Sequence, residues 1–171
     1  FRELRLPEGA MRPMARIAAP LSYHAATLLQ DGKVLVIGGR TYDGAHNIFE
    51  IYDPATNAWT PSSGPLIARR SQGAVKLDDG RVLVAGDVDS RSNRPTSAHL
   101  LDPSKESWGP VEGPNADYYI NTLILLNDGK VLVIGGETPS TEVYDPKSER
   151  WTSAGKMANV RLVHTATLLY D

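Results

Sequence analysis

The chain has 171 residues, 41% of them hydrophobic, and a formal net charge of −2, which suits one domain and favours neither nucleic acid nor an anionic membrane as a partner. It has no cysteine, so disulfides, thiolate metal sites and a cysteine nucleophile are excluded for this chain. Its apolar runs have the length of strands and fall well short of the roughly 20 residues of a membrane helix. We therefore predict a domain with its own hydrophobic core, without a nucleic-acid partner and without membrane insertion.

One pattern recurs along the chain after a lead-in of 19 residues. Asp31–Gly39 reads Asp-Gly-Lys-Val-Leu-Val-Ile-Gly-Gly, and close copies begin at Asp79 and Asp128. An Asp-Pro pair follows each copy, and a tryptophan stands six positions after that aspartate. The segment His24–Leu29 precedes the first copy and returns in similar form as His164–Leu169. These repeats divide the chain into units at 20–64, 65–113, 114–156 and 157–171, with 1–19 unassigned or holding the end of a preceding unit.

Each unit reads as four short strands. In the first unit, His24–Leu29 is the first strand, Lys33–Ile37 the second and Ile48–Tyr52 the third, and Trp59 opens the fourth. The Asp-Gly pair predicts a two-residue hairpin turn in which both residues have positive φ. No segment has a sustained helical period. Four antiparallel strands per unit, repeated about every 49 residues, are typical of β-propeller blades.

The glycine pairs, the tyrosine before Asp-Pro and the following tryptophan resemble the kelch repeat. The variant Asp-Gly-Lys-Val-Leu-Val-Ile-Gly-Gly resembles bacterial kelch proteins and the related galactose-oxidase-like propellers. This resemblance implies an all-β kelch-type β-propeller segment with about three four-stranded antiparallel blades plus the first strand of a fourth. The second unit departs from the pattern at Asp87 and Leu101, which replace a glycine and the tyrosine. Since a propeller needs roughly 4–8 blades, we expect the remaining blades to come from a longer chain or from other copies.

Most of the recurring residues are interpreted as structural. The glycine pairs fit backbone geometry and tight blade packing, because neither opens a helix as a phosphate-binding loop does. The tryptophans, Trp59, Trp108 and Trp151, fit packing between blades. Polar residues head the first strands, at His24, Gln72, Asn121 and His164. We interpret them as bonding to the backbone of a neighbouring blade, with a metal site in the central channel as the alternative.

The loops after the second strand and before the first share one rim of a propeller, whereas the Asp-Gly and Asp-Pro turns lie on the opposite face. The rim loops here are longer and more varied, and rigid scaffolds carry function on such loops. Arginine and tyrosine are favoured in protein interfaces and in the recognition of acidic groups. We therefore predict a rim surface that binds a protein or glycan partner through Arg40, Tyr42, Arg69, Arg70, Arg91, Arg94, Tyr118, Tyr119 and Arg161.

The sequence favours a non-catalytic binding module without a cofactor, since no Ser/His/Asp triad or carboxylate pair stands out. The alternative rests on Leu21–Ala25, which resembles the Tyr-His stretch of galactose-oxidase-like copper radical oxidases. That resemblance implies copper at Tyr23 and His24. Those enzymes also need a tyrosine crosslinked to cysteine and a second histidine, which other parts of a longer chain would have to supply. The compartment is left open, with an extracellular or cell-surface location favoured.

Overall fold

The computed structural model describes residues 14–42, 44–45, 48–62, 64, 69–88, 97–116 and 121–169. These residues form three four-stranded antiparallel sheets, each in the strand order of a blade, and contain no helix. Blade 1 consists of β1 (Ala25–Leu28), β2 (Val34–Ile37), β5 (Phe49–Asp53) and β6 (Ala58–Pro61). A small hairpin between β2 and β5 adds β3 (Arg40–Thr41) and β4 (Gly44–Ala45).

The other two blades repeat this order. Blade 2 consists of β7 (Arg69–Lys76), β8 (Val82–Val88), β9 (Ser97–Asp102) and β10 (Ser107–Val111). Blade 3 consists of β11 (Asn121–Leu125), β12 (Val131–Gly135), β13 (Ser140–Asp145) and β14 (Arg150–Lys156). The first strands β1, β7 and β11 contact one another in sequence, so they form the inner side of the array. The predicted three-blade, all-β architecture is confirmed.

The hairpin between the first and second strands of each blade is one residue longer than predicted. In blade 1 the Leu29 N–H donates to the Lys33 carbonyl at 2.8 Å, and the Gly32 N–H donates to the Leu29 carbonyl at 3.2 Å. Only the glycine has positive φ, between +81° and +86° in the three hairpins. This is a three-residue loop that ends in a glycine bulge, so the prediction of two positive-φ residues is wrong. Asp31 serves instead as an acceptor, taking the Lys33 N–H on Oδ1 at 3.2 Å.

The hydrophobic core lies between blades. One cluster joins blade 1, through Leu35, Ile37 and Phe49, to Val84 and Leu101 of blade 2. A second cluster joins blade 2 to blade 3 in the same manner. Apolar faces of four-stranded blades are therefore removed from water by stacking on the next blade, as in other repeat architectures.

Trp108 and Trp151 pack at these blade contacts, as predicted, whereas Trp59 packs on Tyr52 of its own blade. The Trp108 ring of blade 2 meets Phe49 of blade 1 edge to face, with ring centroids 5.2 Å apart. Trp59 and Trp151 each lie about 5 Å from the tyrosine of the neighbouring strand, at 5.1 and 5.0 Å. Their indole N–H groups donate to the Ala15 and Glu112 carbonyls at 2.9 and 2.7 Å, which satisfies the polar end of each ring.

Two carboxylates that the sequence did not single out bind the chain where it enters a blade. Glu142 is 4% exposed and accepts hydrogen bonds from the Asn115 backbone N–H at 3.0 Å, the Asn115 amide at 2.7 Å and the Ala116 N–H at 2.9 Å. At the equivalent position of blade 1, Glu50 accepts one bond, from the Ala18 N–H at 3.3 Å. Buried carboxylates need such donors to offset the loss of water. Glu50 and Glu142 thereby fasten the entering segment to the third strand.

Blade 2 and the end of the chain depart from the simple repeat. Where blades 1 and 3 have a glycine pair, β8 continues through Asp87 to Val88, and β7 is correspondingly longer, with a bulge between Arg69 and Gln72. Residues 164–169 follow blade 3 without a ladder partner among the described residues. The predicted first strand of a fourth blade is therefore not a strand here, since a strand requires hydrogen-bonded pairing with a neighbour.

Candidate functional site on the rim of blade 1

A cleft of about 470 Å³ opens on the rim of blade 1. It brings together Arg40 and Tyr42, two of the predicted binding residues, with Tyr23 of the alternative copper pair. The other residues that line it are Pro20, Leu21, Ser22 and Thr41. The cleft therefore lies between the segment that enters β1 and the hairpin that follows β2.

The backbone of this cleft is fixed by an extension of the blade ladder. The Ser22 N–H donates to the Arg40 carbonyl at 3.0 Å, the Arg40 N–H donates to the Ser22 carbonyl at 2.9 Å, and the Ser22 hydroxyl adds a bond to the Arg40 carbonyl at 3.3 Å. Gly39 allows this approach. Its φ is +99°, and a methyl group on it would lie 2.9 Å from the Ser22 carbonyl oxygen. The repeat glycine thus positions a rim residue as well as ending a strand.

Two tyrosines project from this backbone. Tyr42 stands at the turn between β3 and β4 with its side chain fully exposed, and Tyr23 is 52% exposed. Tyr23 has φ +59°, a left-handed conformation that is uncommon for a bulky residue. Val163 has φ +51° at the equivalent position before the next unit. The recurrence at Val163 shows that this conformation does not require a tyrosine.

The cleft carries one positive charge and no lining carboxylate. Within the described parts of the chain, the Arg40 guanidinium has no ion-pair partner. On the opposite face, by contrast, the Arg81 guanidinium forms ion pairs with Asp79 at 2.8 Å and with Glu149 at 3.5 Å. Among the described residues Arg40 is therefore unpaired, whereas Arg81 has two ion-pair partners.

The remaining predicted binding residues are only partly located. Arg69 and Arg70 belong to β7, where the backbone of Arg69 pairs with that of Val88. Their side chains are not among the described parts of the structure. Arg161 is exposed, and its carbonyl accepts the Gly136 N–H at 2.9 Å. The rest lie outside the described residues: Arg91, Arg94, Tyr118 and Tyr119. Only Arg40 and Tyr42 are brought into one cleft by the described structure.

The polar residues at the heads of the first strands have different environments. Gln72 is buried, and its amide donates to the Ile37 carbonyl of blade 1 at 2.6 Å, which confirms the predicted bond to a neighbouring blade at this position. The His164 ring packs against Gly135 of blade 3, and neither ring nitrogen has a partner among the described residues. His24 is exposed. In the part of the chain that the structure describes, no three His, Cys, Asp or Glu side chains form a group that could hold a metal ion.

The opposite face carries the turns, as predicted, and ion pairs within each hairpin. Lys33 pairs with Asp31 at 2.9 Å, and Lys130 pairs with Asp128 at 3.1 Å. The hydrogen bond from Lys33 lowers the pKa of Asp31, and the backbone N–H of Lys130 is the largest cause of the lowered pKa of Asp128. Turns of neighbouring blades line shared clefts on this face.

Sequence reasoning missed four residues of the rim cleft, Pro20, Leu21, Ser22 and Thr41, of which Ser22 and Thr41 have polar side chains. Ser22 flanks the Tyr-His pair, and Thr41 stands between Arg40 and Tyr42. The available signal was their position in the loops before β1 and after β2, which the blade topology places on one rim. Without the register between Ser22 and Arg40, the sequence did not show that these two loops touch.

Comparison with known proteins supports the same architecture. The family model of the Kelch motif matches residues 22–65, which is blade 1 with its flanking residues. No curated protein sequence matches the chain. Among solved structures, YjhT is similar with a TM-score of 0.69 and 18% identity, over 85% of this chain and 55% of YjhT.

A novel fungal alcohol oxidase of the AA5 family, in complex with copper, is similar with a TM-score of 0.63 and 24% identity. That match covers 82% of this chain and 31% of the oxidase. The chain thus spans about half the length of one similar structure and a third of the other. Three blades of this topology and the matched motif show that the chain has a kelch-type β-propeller fold. Within the described ranges no helix has the length and apolar character to cross a membrane.

Proposed function

We propose that the chain is a non-catalytic kelch propeller module that binds a protein or glycan partner at the rim cleft of blade 1. One observation carries the proposal: an arginine without an ion-pair partner in the described structure shares a cleft with two exposed tyrosines. Arg40, Tyr23 and Tyr42 stand on a backbone that is fixed by reciprocal hydrogen bonds. A fixed backbone that presents two exposed tyrosines and a half-buried arginine loses little conformational freedom when a partner binds.

The chemistry of the cleft defines the part of the partner that enters it. A guanidinium donates two parallel hydrogen bonds to a carboxylate, phosphate or sulfate. Tyrosine rings offer a flat apolar face with a polar tip. The cleft volume of about 470 Å³ lies within the roughly 300–1,000 Å³ of small-ligand pockets. The bound group therefore carries an acidic substituent beside an apolar face, on a glycan or on a protein side chain.

Site-specific crosslinking tests the location and the class of partner together. We would place p-benzoylphenylalanine at Tyr42, and at Ser104 on the turn face as the control, and irradiate the protein with extracts and with a glycan array. The proposal expects one partner class to be captured from position 42 and not from position 104. Capture from Ser104 alone would contradict it. The predicted contributions of Arg69, Arg70 and Arg161 are tested by adding alanine variants to the same assay.

A second candidate, part of a galactose-oxidase-like copper oxidase, has a specific observation in its favour. Tyr23 and His24 stand together at the entry to β1, both exposed, on the rim that also holds Arg40. The AA5 oxidase in complex with copper is similar in fold. The chain has no cysteine and the described residues supply no third ligand. These two residues alone do not make a copper site, so the missing ligands would have to come from elsewhere.

Copper titration separates the two candidates. The binding-module proposal expects no stoichiometric copper on the protein that requires Tyr23 and His24. A single copper that is lost in the Tyr23→Phe and His24→Ala variants, measured by electron paramagnetic resonance, would favour the oxidase. The Val163→Ala variant, at the position equivalent to Tyr23, is the matched control.

A further inference from the structure

One apolar face of each blade is covered in blades 1 and 2 and open in blade 3. We call the side of a blade that faces the next blade along the chain its leading face, and the opposite side its trailing face. On the leading faces of blades 1 and 2, Leu35, Ile37 and Leu83 are 0% exposed. The equivalent residues of blade 3, Leu132 and Ile134, are partly exposed. The leading face of blade 3 therefore leaves apolar side chains in contact with water.

The trailing face of blade 1 is open along its first strand. Leu28 of β1 points to this face and is 57% exposed. The equivalent residue of blade 3, Leu125, is partly buried against the cluster that joins blades 2 and 3. Ala26 is also exposed, whereas its equivalent in blade 3, Leu123, is 8% exposed. The difference arises because β7 packs against the trailing side of β11, whereas β1 has β7 on its leading side.

The segment 164–169 lies beside blade 3, where the first strand of a next blade would stand. The Thr122 hydroxyl of β11 donates to the His164 carbonyl at 3.3 Å, and the Gly136 N–H donates to the Arg161 carbonyl at 2.9 Å. Both ring nitrogens of His164 are buried without a hydrogen-bond partner among the described residues. Because a buried polar atom without a partner costs free energy, the His164 ring contributes little to holding the segment in place.

Blade 1 begins with a strand that matches this segment. His24–Leu29 and His164–Leu169 have the same residue at five of six positions. The residue before each, Tyr23 or Val163, has a left-handed backbone with φ of +59° or +51°. Blade 1 therefore presents the strand sequence and the entry conformation that already lie beside β11. It also has what the segment lacks, because β1 is paired with β2 and, through β2, with β5 and β6.

We propose that the leading face of blade 3 docks blade 1 of a second copy of this chain, whose β1 takes the place of 164–169 beside β11. Blade 2 already sits on blade 1 in this manner, and that contact buries Leu35 and Ile37. The docked copy covers Leu132 and Ile134 and buries its own Leu28, and the removal of apolar surface from water favours the contact. Because two different faces meet, the copies associate head to tail. This interface does not depend on the proposed function of the rim cleft.

Sedimentation velocity of the whole chain tests the association. The wild-type protein is expected to sediment faster as its concentration rises. Ile134→Asp places a charge on the leading face of blade 3, and Leu28→Asp places one on the trailing face of blade 1. Each variant is expected to weaken association at least tenfold. Thr56→Asp, on the exposed Asp-Pro turn of blade 1, is the control and should leave association unchanged, and urea denaturation checks that every variant is folded.

Mixing the two face variants separates head-to-tail association from other modes. The Ile134→Asp protein keeps an intact trailing face, and the Leu28→Asp protein keeps an intact leading face. An equimolar mixture should therefore form a dimer that does not grow as the concentration rises. Wild-type protein that stays monomeric would overturn the proposal, and so would a dimer formed by either variant alone or a mixture that stays monomeric.

Crosslinking tests the position of β1 in the docked copy. The chain has no cysteine, so one sample carries a single cysteine through Thr122→Cys and another through His24→Cys. Because His24 of the docked copy takes the place of His164 beside Thr122, a short bismaleimide is expected to join the two proteins when they are mixed. Thr56→Cys replaces His24→Cys in the control and should give no product with Thr122→Cys. Equal yields from the two pairs, or no product from the first pair, would overturn the replacement of 164–169 by β1.

Discussion

Blades 1 and 3 carry the same residue types at several equivalent positions but do not make the same contacts there. Each has a buried glutamate on its third strand, with one hydrogen bond at Glu50 and three at Glu142. Each has a tyrosine before Asp-Pro, whose hydroxyl has a hydrogen-bond partner in blade 1 and none among the described residues in blade 3. At the rim, Arg40 of blade 1 corresponds to Glu137 of blade 3.

The comparison separates what the repeat dictates from what each blade adds. Strands and hairpins follow from the repeated positions and recur in all three blades. The contacts that differ arise at unrepeated positions such as Asn57 and Glu149, or Arg40 and Glu137. In a repeat fold, individual function is therefore expected where equivalent positions differ, since fold-level features are shared by every unit.

The largest expected effect is at the two glutamates. Glu142→Ala removes a buried acceptor of three hydrogen bonds and is expected to lower the free energy of unfolding by about 3 kcal/mol, since hydrogen bonds to charged groups contribute roughly 1.5–3 kcal/mol. Glu50→Ala removes one longer bond and is expected to cost about 1 kcal/mol. Urea denaturation measures both. Equal losses would show that the extra bonds in blade 3 do not matter.

The next effect concerns two glycines with nearly the same φ, Gly39 in blade 1 at +99° and Gly155 in blade 3 at +101°. Alanine in this left-handed conformation costs roughly 1–2 kcal/mol at either position. Only at Gly39 would the methyl group also meet a neighbouring backbone, at Ser22. Gly39→Ala is expected to destabilise the protein by about 1 kcal/mol more than Gly155→Ala in thermal denaturation. If the two variants have the same melting temperature, the close approach of Gly39 to Ser22 does not limit the size of the residue at position 39.

A smaller difference is expected at the tyrosines. Tyr52→Phe deletes the bond to Asn57 and should cost about 1 kcal/mol. Tyr144→Phe removes a hydroxyl that has no partner in the described structure, so stability should stay the same or rise slightly. Urea denaturation of both variants, without added ligand, makes the comparison. A loss at Tyr144 as large as that at Tyr52 would mean that the Tyr144 hydroxyl is satisfied in solution.

The smallest effect is electrostatic. The pKa values of Asp31 and Asp128 are both lowered, so their stabilising contribution is full above the unfolded value near 4 and is lost as the pH falls through the lower folded value. The Lys33 side chain is the largest cause at Asp31, and the Lys130 backbone N–H is the largest at Asp128. Lys33→Met should therefore raise the pKa of Asp31 more than Lys130→Met raises that of Asp128. NMR titration of the side-chain carboxyl groups measures both pKa values. Equal increases in the two variants would contradict the different causes given for Asp31 and Asp128.

The sequence was sufficient for the fold because its signals are local and repeated. Turn residues, apolar runs and the spacing from aspartate to tryptophan each recur, so the three blades and the packing of Trp108 and Trp151 between blades could be predicted. The hairpin geometry was predicted wrongly, because Asp-Gly at a two-residue turn and at the end of a three-residue loop look alike in sequence. Hydrogen bonding decides between them, and Leu29 bonds to Lys33 across three residues.

The site was predictable only in part. Topology placed Arg40 and Tyr42 on the rim, but the cleft that joins them to Ser22 depends on the register of two segments that are distant in sequence. The buried carboxylates Glu50 and Glu142 were missed because a glutamate within a strand ordinarily indicates a solvent-facing side. The partners of these two carboxylates are backbone N–H groups of the entering segment and, at Glu142, also the Asn115 side-chain amide, and no residue pattern marks them.

Binding by matched variants at the rims of blades 1 and 3 tests the central claim most directly. With the partner captured from position 42, Arg40→Ala should weaken binding by about 2 kcal/mol, the loss typical of an interface anchor, while urea denaturation shows a change within about 0.5 kcal/mol. Glu137→Ala, at the equivalent position of blade 3, should leave binding unchanged. Unchanged binding by Arg40→Ala, together with a loss in Asp53→Ala or Asp145→Ala on the turn face without unfolding, would contradict the assignment of the rim cleft.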